Sequence, residues 1–574
     1  MLLTALPHPL RICKPLTFSI LIAVLPSHAA PVAPDAGQTL RELQQLPDLT
    51  PPPPEPKLRI EEQLHIDESV PDNSKGKKAD DTRFLVKAFR ISGNTEIPTS
   101  KLEALVADLK GTEHNLAELN VATARITAYY RARGYAVARA YLPAQDIVDG
   151  AVSVSIIEGH IAKHRIDNQS LLSDKTANDF LGQIKDGDVI RNAQIDRALF
   201  LLNDTPGIGA TRATLQPGAS LGTSDLLVEL KPGAAYSGNI SLDNYGNRYI
   251  GANRLGGTLN FNSPFKIGDQ ISLGALASDQ HLAFGRAAYQ LPIGGNGLHM
   301  GAAYSNTRYN LGKEFAALNA HGTATSSSVF ASYPFIRSQP SNLNGTFTWE
   351  QKKLTDYVDV TSTVTGKHAR LAMLGLSGNH SDALGGNGIS SFDLSLAMGR
   401  LSIDSPSALA IDDITAQTNG AFTRISYSAN RLQRLNESNQ LFISLSGQHA
   451  NKNLDSSEKF FLGGANGVRA YPQGEGIGDQ GRLVNLELRH NVSATLQGML
   501  FYDRGSITTN HNPFGPPAPN GLSLSGYGIG ANANLAGTQI KISLARRTDG
   551  GQPASIPDSA VRSYTIWLQA SEQF

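Results

Sequence analysis

The chain has 574 residues, 50 basic and 50 acidic side chains, 55 glycines, one cysteine and two tryptophans. Zero net charge argues against a dedicated nucleic-acid binder, which normally carries a basic excess or stripe. A hydrophobic share of 40% and a charged share of 17% both lie below globular averages, and the lone cysteine excludes a disulfide scaffold and any multi-cysteine metal site.

The N-terminus reads as an export signal over residues 1–29. Arg11 and Lys14 form a basic start, Leu16 to Leu25 an apolar core, and Ser27-His28-Ala29 a small-x-small cleavage site. Cys13 leaves with it. No later apolar run is long enough for a transmembrane helix. Residues 30–82 form an extension. It holds one amphipathic helix candidate, Gly37 to Leu46, with Leu40, Leu43 and Leu46 on one face. The Pro51–Pro54 tetrad and Pro56 then stiffen the chain, and a polar stretch runs from Asp67 to Asp81. Composition alone equally allows a linker with a chance helix.

Two tandem β-α-α-β-β units follow, over 83–159 and 160–232. In the first, Arg83 to Ile91 alternates like a strand. Thr99 to Leu109 and Glu118 to Arg133 have helical spacing, with Leu119, Ala122, Ile126 and Tyr129 or Tyr130 on a face. Ala136 to Leu142 and Val152 to Glu158 complete it as strands. The second repeats the order: strand Ile161 to Ile166, helices Thr176 to Ile184 and Asn192 to Leu202, strands Gly209 to Gln216 and Asp225 to Leu230. Such units have sheet edges that recruit extended peptides.

Residues 233–574 are Gly-rich, with short alternating strands. Val484, Leu486 and Leu488 alternate with Asn485, Glu487 and Arg489; Ile240 and Leu242 alternate with Asn239, Ser241 and Asp243. A soluble sandwich has the same period, but one face here is aliphatic or aromatic and the other polar, as in a transmembrane barrel. The last strand places Tyr564, Ile566, Leu568, Ala570 and the terminal Phe574 on one face. At roughly 20 residues per strand and connection, the zone holds about 16 or 18 strands.

Two enzyme-like strings are read as turns. Gly218 to Gly222 fits GxSxG, but a strand follows where a nucleophile elbow needs a helix. Gly476 to Gly481 fits GxGxxG and is also followed by a strand. No cofactor, no metal and no catalytic residue is expected. The informative stretch is Phe460 to Gly481, where glycines flank Val468-Arg469-Ala470-Tyr471. Such a loop can fold back into a lumen and present one guanidinium. Its candidate carboxylate is Asp503, which faces inward if Leu500 and Tyr502 meet lipid.

On these residues the chain resembles the two-partner secretion transporters, the TpsB family, in the superfamily that includes the barrel assembly proteins. Gly463, Gly464, Val468 and Tyr471 look like the family's VRGY loop tip. Phe501, Asp503 and Gly505 look like its strand motif. The resemblance implies a mainly β fold with α+β N-terminal modules: a 16-stranded transmembrane β-barrel preceded by two POTRA-like domains and an N-terminal plug helix. It also implies that Arg469 pairs with Asp503, that Leu40, Leu43 and Leu46 seat the plug, and that Phe574 serves as an assembly signal. Ala470 replaces the motif's glycine, and a positive φ there would cost about 1 kcal/mol. The expected function is ATP-free export of an unfolded exoprotein, a TpsA-like cargo, across the outer membrane, with the POTRA-like domains in the periplasm. Expected partners are that cargo, outer-membrane lipid and the barrel assembly machinery for the chain's own insertion, with no nucleic acid. The rival readings are an assembly factor for other barrels, a passive porin and an outer-membrane enzyme.

Overall fold

The structure is a computed structural model that describes residues 33–44, 64–66, 82–549, 552–557 and 560–574. The signal segment, Leu46 and the proline tetrad lie outside the described residues. The N-terminal helix spans Ala36–Gln44, close to the expected start. Asp35 caps it, its carboxylate accepting the Gln38 backbone N–H at 2.8 Å.

The first of the two N-terminal units has a three-stranded sheet in the order Ala88–Ser92, Ala151–Ile157, Arg139–Tyr141. Helix Leu116–Arg131 covers it and buries Leu119, Ala122, Ile126 and Tyr130. It begins two residues before the expected start because Asn115 and Glu118 form a capping box, each side chain bonding the other's backbone N–H. The other expected helix is shorter, Thr99–Ala104, followed by a separate 3-10 turn, Ala107–Leu109.

In the second unit helices Asp174–Leu181 and Asn192–Asn203 pack on a four-stranded sheet. Its order is Leu64–Ile66, Ile208–Pro217, Thr223–Pro232, His160–Asn168. One edge strand therefore comes from the N-terminal extension, where the sequence reading placed only linker. The GxSxG string is the hairpin turn between Ile208–Pro217 and Thr223–Pro232, closed by Gly218 N–H to the Thr223 carbonyl at 2.9 Å.

The second unit is bolted to the barrel rim. Arg337 forms a bidentate pair with Asp204 at 2.5 and 2.7 Å, and its guanidinium lies 4.8 Å from the Phe200 ring centre. Arg197 donates to the Pro334 carbonyl at 2.7 Å. Gly295 lets the Asp179 carbonyl approach, since a Cβ there would lie 1.9 Å from that oxygen.

Sixteen antiparallel strands close the barrel, from Tyr236–Asp243 to Tyr564–Gln573. The strands are unequal: Thr363–Asp382 has 20 residues and Tyr236–Asp243 has 8. At about 3.4 Å per residue the longest strands overshoot any apolar band and give the barrel one tall side. Leu242, Leu273, Leu374, Leu488, Leu500 and Leu568 face outward and are exposed, while Asp243, Glu350, Lys352, Arg424, Glu487 and Asp503 face inward and are buried. The first and last strands meet in the shortest ladder of the barrel, from Asn239 opposite Gln573 to Asp243 opposite Gln569. The Asn244 side chain extends it: Nδ2 donates to the Ile566 carbonyl at 2.9 Å and Oδ1 accepts the Leu568 N–H at 2.8 Å.

The first unit holds a buried carboxylate just past the end of strand Ala151–Ile157. Glu158 accepts the backbone N–H groups of Thr95 and Glu96, both at 2.9 Å, the Tyr130 hydroxyl at 2.7 Å and the Thr95 hydroxyl. Burial pushes its pKa up, but these bonds outweigh it and hold the carboxyl below its usual range. Next to it, Glu96 pairs with Arg191 of the second unit and accepts the Tyr135 hydroxyl at 2.9 Å. A depressed folded pKa contributes stability that is complete above the ordinary glutamate value of ~4.3 and is lost as pH falls through the folded value. Glu158→Gln is therefore expected to speed amide exchange in helix Leu116–Arg131 at pH 7. After correction for intrinsic rates, the difference from the parent should shrink as pH falls through the carboxyl's depressed folded value.

Candidate functional site in the barrel lumen

The segment between strands Asn439–Ala450 and Gln480–Asn491 folds back into the barrel. Its own backbone holds it in shape: Leu462 N–H donates to the Gly476 carbonyl at 2.9 Å, Gly463 N–H to Glu475 at 2.8 Å, and Val468 N–H to Leu462 at 2.8 Å. Gly463 admits Pro472 and Glu475, which a Cβ would meet at 2.8–2.9 Å, and Gly464 has φ +121°. The GxGxxG string is the returning arm of this loop, with Ile477–Gly478 paired to Phe460–Phe461.

The tip buries Val468 and Tyr471 and delivers Arg469 to the wall. Arg469 Nε donates to Asp503 Oδ2 at 2.9 Å and Nη2 to Oδ1 at 2.7 Å. Its backbone N–H reaches the same carboxylate at 3.1 Å. Nη1 donates to Glu487 at 2.7 Å, and the Phe501 ring centre lies 3.6 Å from the guanidinium carbon. Asp503 is 0% exposed and also accepts from Asn485 at 2.8 Å. The group is dry and bidentate, the regime in which removing one partner costs about 3–5 kcal/mol.

Thus Arg469 and Asp503 meet, and Phe501 is the aromatic floor beneath them. Gly505 leaves room for the loop, since a Cβ would lie 2.4 Å from Leu462 Cδ1. Ala470 does not adopt the positive φ considered from the sequence. Its methyl is accommodated opposite Gly526, where a Cβ would lie 2.4 Å from Ala470 Cβ. An empty position on strand Gly521–Leu535 thus compensates for the extra methyl in the loop.

Two members of this site were not singled out from sequence. Glu487 was assigned to the polar face, yet nothing marked it as the second carboxylate. Trp567, on the last strand, is buried and its indole N–H donates to the Arg469 carbonyl at 2.8 Å. Its inward parity was readable from Ile566 and Leu568, but its distance in sequence from the loop gave no pairing signal. The terminal Phe574 lies outside, exposed, with its ring close to Gly238.

The N-terminal helix occupies the same lumen. Leu40 and Leu43 pack among Leu276, Phe284, Tyr309 and Leu354 of the wall. Ala36 N–H donates to Asp356 at 2.8 Å, and Gln44 to Glu350 at 2.7 Å. The base of the inward loop, turn Ser456–Glu458, lies against the helix: Ser456 donates to Asp35 at 2.6 Å. Glu458 is neutralised by Lys352 at 2.7 Å and Arg424 at 3.1 Å, both from the wall. Lys367 holds Asp455 at 2.8 Å and stands 3.9 Å from Asp35. Between helix and loop remains a cavity of about 150 Å³, lined by Glu42, Tyr245, Arg254, Phe461 and Gln473.

A family model described as haemolysin secretion/activation protein ShlB/FhaC/HecB matches residues 222–533, and a ShlB-type POTRA domain model matches residues 84–159. The heme/hemopexin transporter protein HuxB of Haemophilus influenzae (strain 86-028NP) is 28% identical over 467 residues, covering 79% of this chain and 82% of its own. The outer membrane transporter CdiB of Dickeya dadantii is 24% identical over 505 residues, covering 84% and 86%. In fold, CdiB from Escherichia coli matches with a TM-score of 0.72 at 20% identity over 95% of this chain and 100% of that one. BamA from Haemophilus ducreyi, lacking POTRA domains 1–3, matches less well, at 0.50 and 14% over 86% and 100%. The chain belongs to the ShlB/FhaC/HecB haemolysin secretion/activation family, outer-membrane transporters of two-partner secretion whose POTRA domains lie in the periplasm.

Proposed function

We propose that this protein is a threading pore gated by two removable inserts, the helix Ala36–Gln44 and the loop bearing Arg469. The carrying observation is that two segments of the chain fill the lumen and are held to its wall largely by polar and charged contacts. An unfolded exoprotein docks on the POTRA pair, the helix leaves, the loop shifts, and the chain passes outward. The protein does no covalent chemistry of its own. Folding of cargo outside removes the backward-sliding state by mass action and supplies the driving force. The outward apolar residues support lipid contact, and the outward terminal Phe574 supports delivery by the barrel assembly machinery.

Arg469→Glu places a third carboxylate beside Asp503 and Glu487. It is expected to abolish secretion while a heat-modifiable barrel still forms; undiminished secretion from that variant would remove the lock. Deleting residues 37–46 is expected to raise single-channel conductance severalfold and to leave most secretion intact. Unchanged conductance would mean that the helix does not gate the pore. The deciding experiment compares culture medium and outer membrane with and without this protein. One large exoprotein missing from the medium, with other barrels unchanged, identifies the cargo. A joint fall of many outer-membrane proteins would instead make the protein an assembly factor.

A further inference from the structure

The outward face of the barrel changes character on its tall side. On three neighbouring strands, Ser341–Val358, Thr363–Asp382 and Gly388–Ile403, the register aligns outward residues in rungs. Phe347, Leu374 and Leu396 form one apolar rung, and Trp349, Ala372 and Met398 the next. The rung after that is Gln351, Arg370 and Arg400, followed by Lys353, His368 and Ser402. Arg370, Arg400 and Lys353 are exposed. Strand Ser341–Val358 starts beside the rim that Arg337 ties to the second POTRA-like unit, so the cations lie toward the opposite, outer end. Tryptophan is enriched where a bilayer meets water, and Trp349 on the last apolar rung puts Arg370 and Arg400 at headgroup depth.

The arrangement is costly for the protein alone. Arg370 stands directly opposite Arg400, and Lys353 is diagonal to Arg370. Like charges directly opposite destabilise a sheet. Among the described residues, none forms a side-chain ion pair or hydrogen bond with Arg370, Arg400 or Lys353. The outward faces of the three strands carry one carboxylate, Asp382, which sits at the other end and pairs with Arg431 at 2.9 Å. Asp404, just beyond Gly388–Ile403, is engaged by His368 at 2.9 Å.

We infer that Lys353, Arg370 and Arg400 form a site on the outside of the barrel for the phosphate of an outer-leaflet glycolipid of the lipid A class, whose acyl chains lie along the apolar rungs beneath. Opposed side chains have Cβ atoms about 4.5–5.5 Å apart and diagonal ones about 7–8 Å, within reach of one phosphate for residues this long. An anion between Arg370 and Arg400 turns their repulsion into charge-assisted, bidentate contacts. Free phosphate would use the cations alone, whereas an exposed apolar wall directly below them suits a lipid. The site goes beyond the threading reading and needs only the outer-membrane position. Its occupant would hold the tall side at a fixed depth while the helix and the loop move.

The test uses the full chain in detergent, with bisphosphorylated lipid A, the same lipid stripped of both phosphates, phosphatidylglycerol and inorganic phosphate as probes. The parent is expected to bind bisphosphorylated lipid A at least tenfold more tightly than the stripped lipid or phosphatidylglycerol, and this comparison needs no variant. Equal affinity for the stripped lipid would overturn the phosphate site, and equal affinity for phosphatidylglycerol would overturn the glycolipid. Displacement of lipid A by equimolar inorganic phosphate would overturn a lipid occupant. Arg370→Gln with Arg400→Gln is expected to lose at least tenfold in lipid A affinity, yet to melt no lower than the parent in lipid-free detergent, because repulsion has been removed. Undiminished affinity would overturn the proposal. Arg482→Gln with Arg504→Gln removes two exposed, outward arginines elsewhere on the outer half of the barrel and is expected to keep parental affinity. An equal loss there would mean diffuse rim charge and would overturn the assigned site. No exoprotein enters the measurement, so its failure leaves the threading reading standing.

Discussion

Arg469 holds the lumen together because its charge is satisfied only when the loop is fully home. Its side chain spans Glu487 and Asp503 on neighbouring strands, and its backbone carbonyl takes the Trp567 indole of the last strand. In a dry site these bonds are strong and their loss is costly. One residue therefore ties the loop to three strands of the wall, the last of them the closing strand. The loop base, in turn, meets the helix through Ser456 and Asp35. Seam, loop and helix form a single mechanical chain, and the guanidinium sits at its head.

The way the lumen is filled fits a closure that has to come undone. The helix has one apolar patch, Ala36, Leu40 and Leu43, while contacts such as those of its first backbone N–H with Asp356, Gln44 with Glu350 and Asp35 with Ser456 are polar. A polar wall can be rehydrated when a segment leaves, because water replaces each lost partner. An oily wall would collapse or bind the passing chain. The charges left behind are largely paired within the wall and loop base, as Lys352 and Arg424 are with Glu458.

The barrel was legible because parity is a local signal. Leu486 and Leu488 flank Glu487, and Leu500 and Tyr502 flank Asp503, so inward and outward faces could be read without knowing any pairing. The Arg469–Asp503 meeting was reachable through the family motif and the parity of Asp503. Glu487 and Trp567 were not singled out, because which inward residues converge depends on barrel closure, a property of the register. The strand Leu64–Ile66 was illegible for a different reason. Three residues are too few for a period, and its stability comes from a sheet edge about 150 positions later. The helix start at Leu116 is set by the capping box of Asn115 and Glu118, a signal independent of the apolar period.

The Asn244 amide at the seam acts as a surrogate peptide unit, giving the closing strand one donor and one acceptor beyond the end of the ladder. That double role makes the seam depend on the amide staying an amide. Hydrolysis of the amide to a carboxylate would keep the acceptor for the Leu568 N–H but set a negative oxygen against the Ile566 carbonyl. Loss of that donor would fray the barrel at one end of its closing ladder, the shortest in the barrel. Tyr245, a bulky residue in the position where glycine would speed that hydrolysis, stacks edge-on against Trp567 and so protects the rung that it follows.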